Sequence, residues 1–174
     1  FHDPSMVFGN TLASELRKNG IEVNSVERVL PSSSKSQGDS LLVRRTPIGH
    51  ALQRSNRDSH NLYAEALLKR LSASVTQRPG SFDEGAALIE TAIVQRLGDA
   101  QRGLTIADGS GMSRKNQTTT RTLARWLASF KRNEPAGEAL INSLATPGTG
   151  TLESRFKKVK LNGATVHAKS GYLR

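Results

Sequence analysis

Two short elements of this chain hold residue types that an acyl-transfer site needs. Ser59-His60-Asn61 stands just ahead of a strongly helical run, and Lys169-Ser170-Gly171 follows 110 positions later. Amide transfer through an acyl-enzyme requires a nucleophile, a base, a proton path to the leaving amine and an oxyanion site. In a serine/lysine design the base is a lysine whose pKa is depressed by burial and neighbouring cations, and a second hydroxyl can relay the proton. Ser59 suits that relay, because it stands at a helix entrance rather than inside the helix. The Asn61 amide can bond both the base and a substrate carbonyl. Lys169 offers a fixed cation for a substrate carboxylate, and the Ser170 hydroxyl can bond the same group. Gly171 lets a substrate backbone lie against a strand edge, since no side chain intrudes. The backbone N–H of Tyr172 is then placed to form half of an oxyanion hole.

Each element alone has a plainer reading. Serine before a helix is usually an N-cap, and Lys-Ser-Gly in isolation is more often a turn. Order, spacing and local context lift the pair above those readings: one opens a helix and the other closes a strand.

The elements that must position them can be read from periodicity. Residues 7–18 form an amphipathic helix with Leu12 and Leu16 four apart, closed by Asn19-Gly20. Residues 21–30 alternate apolar and polar and read as extended, 31–40 as a Ser-, Gly- and Lys-rich loop, and 41–43 as a short strand. Pro47 fits the first turn of a helix running toward Arg54. The next helix carries Leu62, Ala66, Leu67 and Leu71 as an apolar stripe, with Ser59 just ahead of it. A further helix spans 83–97 and ends at Gly98. Residues 104–106 read as a buried strand running into the turn Asp108-Gly109-Ser110-Gly111. Helices are expected over 118–130, with Leu123, Trp126, Leu127 and Phe130 as its apolar face, and over 134–144. A last strand, 163–170, carries the Lys-Ser-Gly. Helices with a few strands, and no repeat, give an α+β arrangement.

The nucleophile is not evident. Ser-x-x-Lys occurs at Ser32/Lys35 and Ser154/Lys157. The first lies in a polar loop, where its lysine cannot be desolvated, and too close to Ser59 to leave room for intervening structure. The second falls after Ser59, out of order, beside a solvated Lys157-Lys158. Other features are bland. Pro147-Gly-Thr-Gly-Thr-Leu152 has Thr151 where a phosphate loop needs lysine. His2, His50, His60 and His167 lack metal-ligand spacing, and Asp108 is one carboxylate where calcium needs several, so no metal is assigned. Asp108 reads instead as the turn that shapes a cleft rim, and Trp126 as core.

At 174 residues the chain has the length of one domain. It contains no run of about 18 apolar residues, so no membrane span is read. It has no cysteine, which excludes disulfides and thiolate metal sites. The formal net charge of +10 admits nucleic acid or an anionic polymer as partner, but the charges are dispersed and aromatics are only 5%, too few for a base-stacking platform. Nucleic acid is therefore not assigned. The chain begins Phe1-His2-Asp3-Pro4, without an initiator Met or an apolar leader, and reads as a cut through a longer protein.

Four stretches together resemble the class C low-molecular-mass penicillin-binding proteins, the D-alanyl-D-alanine carboxypeptidase/endopeptidase group. They are Asp58-Ser-His-Asn-Leu-Tyr-Ala-Glu-Ala-Leu-Leu-Lys69, Asp108-Gly-Ser-Gly-Met-Ser-Arg114, Gly150-Thr-Leu-Glu-Ser-Arg-Phe156 and His167-Ala-Lys-Ser-Gly171. They stand in the family's order and cover residues 46–174, while 1–45 match loosely. A Ser-x-Asn followed far downstream by Lys-Ser/Thr-Gly is the trailing pair of the signature that Ser-x-x-Lys opens. The resemblance implies part of a penicillin-binding/β-lactamase-like transpeptidase domain, a helical cluster against an antiparallel sheet, without its nucleophile helix and final sheet strands. It implies a periplasmic or otherwise extracytoplasmic enzyme that cleaves peptidoglycan stem peptides ending in D-Ala-D-Ala, is acylated by β-lactams and needs no cofactor. The family's second-motif serine falls on Ser59, its asparagine on Asn61 and its third-motif lysine on Lys169. His60 replaces the commoner Asp, at a position expected to face away from the site, and Ser170 replaces Thr with the hydroxyl kept. The nucleophile of the family lies well upstream, so this chain is expected to start after it and to expose apolar surface where the absent parts would pack. A non-catalytic module of the same fold, binding peptidoglycan peptides or a partner protein, is the competing reading.

Overall fold

The computed structural model describes residues 3–28, 42–98, 103–156, 159 and 162–172. The chain divides into two compact units, Phe1–Arg44 and Arg45–Arg174.

The first unit is built on α1, Pro4–Lys18. Asp3 caps it by accepting the Met6 N–H at 3.1 Å, and Pro4 stands in the first turn, where its missing N–H costs nothing. Arg17 reaches the carbonyl of Val23 at 2.6 Å and so holds the extended segment after α1. Residues 21–28 pair with no strand among the described residues, and the loop holding Ser32 and Lys35 lies outside them.

The second unit is a helical cluster: α2 (Ile48–Asn56), α3 (Asn61–Thr76), α4 (Phe82–Leu97), α5 (Thr120–Ala128) and α6 (Pro135–Ser143), with a 3₁₀ turn at Gly150–Leu152. Helix α3 packs between α2 and α4, α2 also packs on α6, and α5 on α4. The α3–α4 corner is pinned by Ser72, which is fully buried. Its hydroxyl donates to Glu84 at 2.8 Å and accepts the Ser81 N–H at 3.2 Å. Ser81 caps α4 through the Glu84 N–H. Glu84 is held below the usual carboxylate range, chiefly by the Ser72 bond, with Ser81 and Arg78 adding to it against partial burial.

The expected strands shrink to single antiparallel bridges, Thr105 with Gln117 and Ala145 with Ala168. Extended segments need neighbouring strands to build a ladder, and none lies beside these among the described residues. The apolar stripes of α3 and α5 are also less covered than their periodicity suggests. Leu62 is 70% exposed, and Leu123 and Leu127 are about half exposed. Trp126 is half-buried and meets Phe130 edge-on at 4.9 Å.

Candidate active site

Ser59 lies in the tight connection between α2 and α3, with φ of 56°. A non-glycine residue there costs about 1–2 kcal/mol, so its neighbours must impose the conformation. Asp58 takes Arg54 Nη1 at 2.6 Å and Arg57 Nε at 3.0 Å. Hydrogen bonding from Arg57 is the main reason its carboxyl lies below the usual range. The His60 N–H reaches back to the Arg54 carbonyl at 3.0 Å. The Arg57 carbonyl accepts the Thr151 N–H at 3.0 Å. That approach needs a glycine next door: a Cβ on Gly150 would stand 2.3 Å from the Arg57 oxygen. Asn56 donates its amide to the buried Ser143 hydroxyl at 2.8 Å.

The plain reading of Ser59 as an N-cap does not hold. His60 is the N-cap of α3, and it makes no side-chain cap bond. The Ser59 oxygen instead accepts from Lys169 Nζ at 2.8 Å. Lys169 is placed by the same end of α6 that anchors Asn56. Ala168 exchanges both backbone bonds with the fully buried Ala145, at 2.9 and 3.2 Å, and His167 Nδ1 lies 3.2 Å from the Ile141 carbonyl. Ser143 and Ala145, two residues apart, therefore register both sides of the Ser59–Lys169 contact. The ammonium also donates to the Ser170 carbonyl. Partial burial lowers the Lys169 pKa from its ordinary 10.5.

The two groups stand in the wall of an open cleft of about 470 Å³. Asn61, Ser170, Gly171 and Tyr172 line it as well, so the structure brings the six candidate site residues to one cleft. Tyr172 is 79% exposed at the mouth. His60 does not line this cleft. It lines an adjoining hollow of about 260 Å³ together with Ser59, Asn61 and Lys169, and its ring meets Tyr63 edge-on at 5.2 Å.

The remaining wall is Ser110, Gly111 and Met112. The turn at Asp108 is braced from within: its carboxylate takes the N–H groups of Gly111 at 2.7 Å and Ser113 at 2.5 Å, and the Asn116 amide at 2.8 Å. Burial opposes the charge of Asp108, but the Asn116 and backbone bonds outweigh it and hold the pKa below the usual range. The expected rim turn is thus present, and it is fastened to α3. Glu65 on α3 accepts the Gly109 N–H at 2.9 Å, the Ser110 N–H at 3.3 Å and the Ser110 hydroxyl at 2.6 Å. Gly109 sits so close to α3 that a Cβ would lie 2.4 Å from the Ala64 carbonyl oxygen.

Of the two Ser-x-x-Lys matches, Ser32 and Lys35 lie outside the described residues, and so does Lys157. Ser154 is exposed and lines neither the cleft nor the hollow beside it.

Comparison with known proteins gives the family and the fold. The model of the D-Ala-D-Ala carboxypeptidase 3 (S13) family matches residues 1–174. The carboxypeptidase DacB of Mycolicibacterium smegmatis is 28% identical over 173 residues, 98% of this chain and 35% of that protein. The D-alanyl-D-alanine carboxypeptidase DacB of Haemophilus influenzae is 31% identical over 121 residues, 69% of this chain and 25% of that protein. Among solved structures, penicillin binding protein 4 (dacB) of Haemophilus influenzae, complexed with a β-lactam, superposes with a TM-score of 0.66 at 30% identity. That match covers 84% of this chain and 33% of the other. The chain has the fold of part of that protein, and it spans about a quarter to a third of the length of these relatives.

Proposed function

This chain belongs to the D-Ala-D-Ala carboxypeptidase 3 (S13) family, and on that premise we propose that it forms the proton-relay and carboxylate-binding sides of a serine acyl-enzyme site. The parent protein is then a penicillin-sensitive, extracytoplasmic D-Ala-D-Ala carboxypeptidase/endopeptidase acting on peptidoglycan stem peptides, and its Ser-x-x-Lys nucleophile lies outside these residues. The observation that carries the reading is the 2.8 Å bond between Lys169 and Ser59 in a cleft shared with Asn61, Ser170, Gly171 and Tyr172.

The chemistry follows from those groups. The Ser59 oxygen accepts from a cation, which leaves its own O–H to point elsewhere and makes that proton easier to pass on. During acylation the nucleophile's proton moves to its lysine base and then through Ser59 to the leaving amine. The C–N bond of the substrate breaks as the C–O bond of the acyl-enzyme forms. In the second step water attacks the acyl-enzyme carbonyl, a C–O bond to water forms as the ester bond to serine breaks, and a proton from the water returns to the serine oxygen. Lys169 and the Ser170 hydroxyl hold the terminal carboxylate, and Asn61 holds the base and a substrate carbonyl. Gly171 admits the substrate backbone, and the Tyr172 N–H supplies one oxyanion donor.

Labelled penicillin tests this directly. The full-length protein is expected to be labelled, and residues 1–174 alone are not. Labelling of the isolated chain would put the nucleophile within it and return attention to Ser32. A parent that stays unlabelled yet binds stem peptides would favour the non-catalytic module.

A further inference from the structure

The reaction roles above leave Glu65 without one. It stands four residues beyond Asn61, so the two project from the same face of α3. It lies behind the cleft wall rather than in it, and three donors from one loop converge on its two oxygens. The loop has a second attachment at its base, where Glu90 of α4 accepts the Ile106 N–H at 2.8 Å and Thr105 bridges Gln117. Asp108 makes the span between rigid in itself. Glu90 therefore holds the base of this loop, and Glu65 holds the tip that faces the cleft.

Resting on the acyl-enzyme reading, we propose that Glu65 is a positioning residue for the reaction: its carboxylate fixes the wall of Ser110, Gly111 and Met112 at a set distance from Asn61 and Ser59. Both sides of the cleft are then referred to one helix. A carboxylate is required because all three incoming groups are donors, and only an acceptor with two oxygens satisfies them together. Glutamine keeps the shape but turns an NH₂ toward one of those donors. Alanine leaves the tip free to move away from α3. Displacement of the wall by about 1 Å costs up to about 100-fold in rate without touching a reacting group.

The test has two arms. In the full-length protein, amide hydrogen exchange is followed for Glu65→Gln, Glu65→Ala and Glu90→Gln. Both Glu65 variants are expected to speed exchange at Gly109 and Ser110, while Glu90→Gln, whose amide oxygen can still accept the Ile106 N–H, leaves those two unchanged. In the full-length protein, the second-order rate of acylation by a labelled penicillin is expected to fall about 10- to 100-fold in Glu65→Ala. It falls less in Glu65→Gln, and Glu90→Gln matches wild type. Ser110→Ala added to Glu65→Ala should cost little more, since both cut the same link. Should Glu65→Ala not fold, the isosteric Glu65→Gln carries the comparison. The proposal is overturned by unchanged exchange at Gly109 and Ser110, by wild-type acylation in a variant whose tip has loosened, or by an equal loss in Glu90→Gln. A wild-type protein that is not acylated at all overturns the reading beneath it, and the exchange arm still reports whether Glu65 holds the loop.

Discussion

Ser59 is held in a backbone conformation that serine seldom adopts, and its hydroxyl is bonded to a lysine instead of to its own helix. Ser59→Ala should therefore keep the fold and lower the acylation rate of the parent by about 10²- to 10⁴-fold, the range for loss of a proton-transfer group. Lys169 makes a separate claim about pH. Its pKa lies below the ordinary 10.5 because the ammonium is partly buried. The cation is then lost at lower pH than for an exposed lysine. Binding of carboxylate-ended peptides should accordingly weaken on the alkaline side before pH 10.5, visible as a rise in KM. Asp58 runs the other way. Its folded pKa is depressed, so the stability it adds is present above the unfolded value of about 3.9 and is lost as pH falls through the folded one. The Arg54 and Arg57 partners are more than a third exposed, which keeps the effect of Asp58→Asn at neutral pH to roughly 1 kcal/mol or less by chemical denaturation.

At the scale of elements, the site depends on close approaches that only glycine permits. Gly150→Ala should destabilise the chain by about 1–3 kcal/mol, read as a lower denaturation midpoint, because its Cβ would meet the Arg57 carbonyl. Helix positions were legible in the sequence because each carries its own periodicity and stop signal. Helix α4 runs Phe82–Leu97 against an expected 83–97, and Gly98 ends it at φ of 78°. Strands were not, since a strand is a property of a pair, and among the described residues Ala168 finds only Ala145 as a partner. The site itself was half legible. Ser59, Asn61 and Lys169 belong to recognisable triplets, whereas Glu65 looks in sequence like a solvated residue four positions from Lys69. The available clue was its spacing of four from Asn61, together with a glycine-rich turn in need of an acceptor. Asn56 and Ser143 offered no clue, because their contact joins residues 87 apart in the chain.

The whole chain leaves large apolar side chains uncovered. Ile48 is 69% exposed at the edge of an apolar hollow of about 530 Å³ that also involves Tyr63, Ala66 and Leu67. A chain spanning about a third of its relatives' length is expected to bury this surface against the rest of the parent. Residues 1–174 alone should bind a hydrophobic dye such as ANS, the parent should bind much less, and Ile48→Glu should raise dye binding by the parent. The central claim, that these residues hold the relay and carboxylate side of a site completed from outside them, is tested most directly by locating the adduct. The full-length protein is treated with a β-lactam, digested and mapped by mass spectrometry. The account predicts one acylated serine, in a Ser-x-x-Lys sequence outside residues 1–174, and its disappearance in Lys169→Ala at the same exposure. An adduct on Ser32, Ser59 or Ser154 would contradict it.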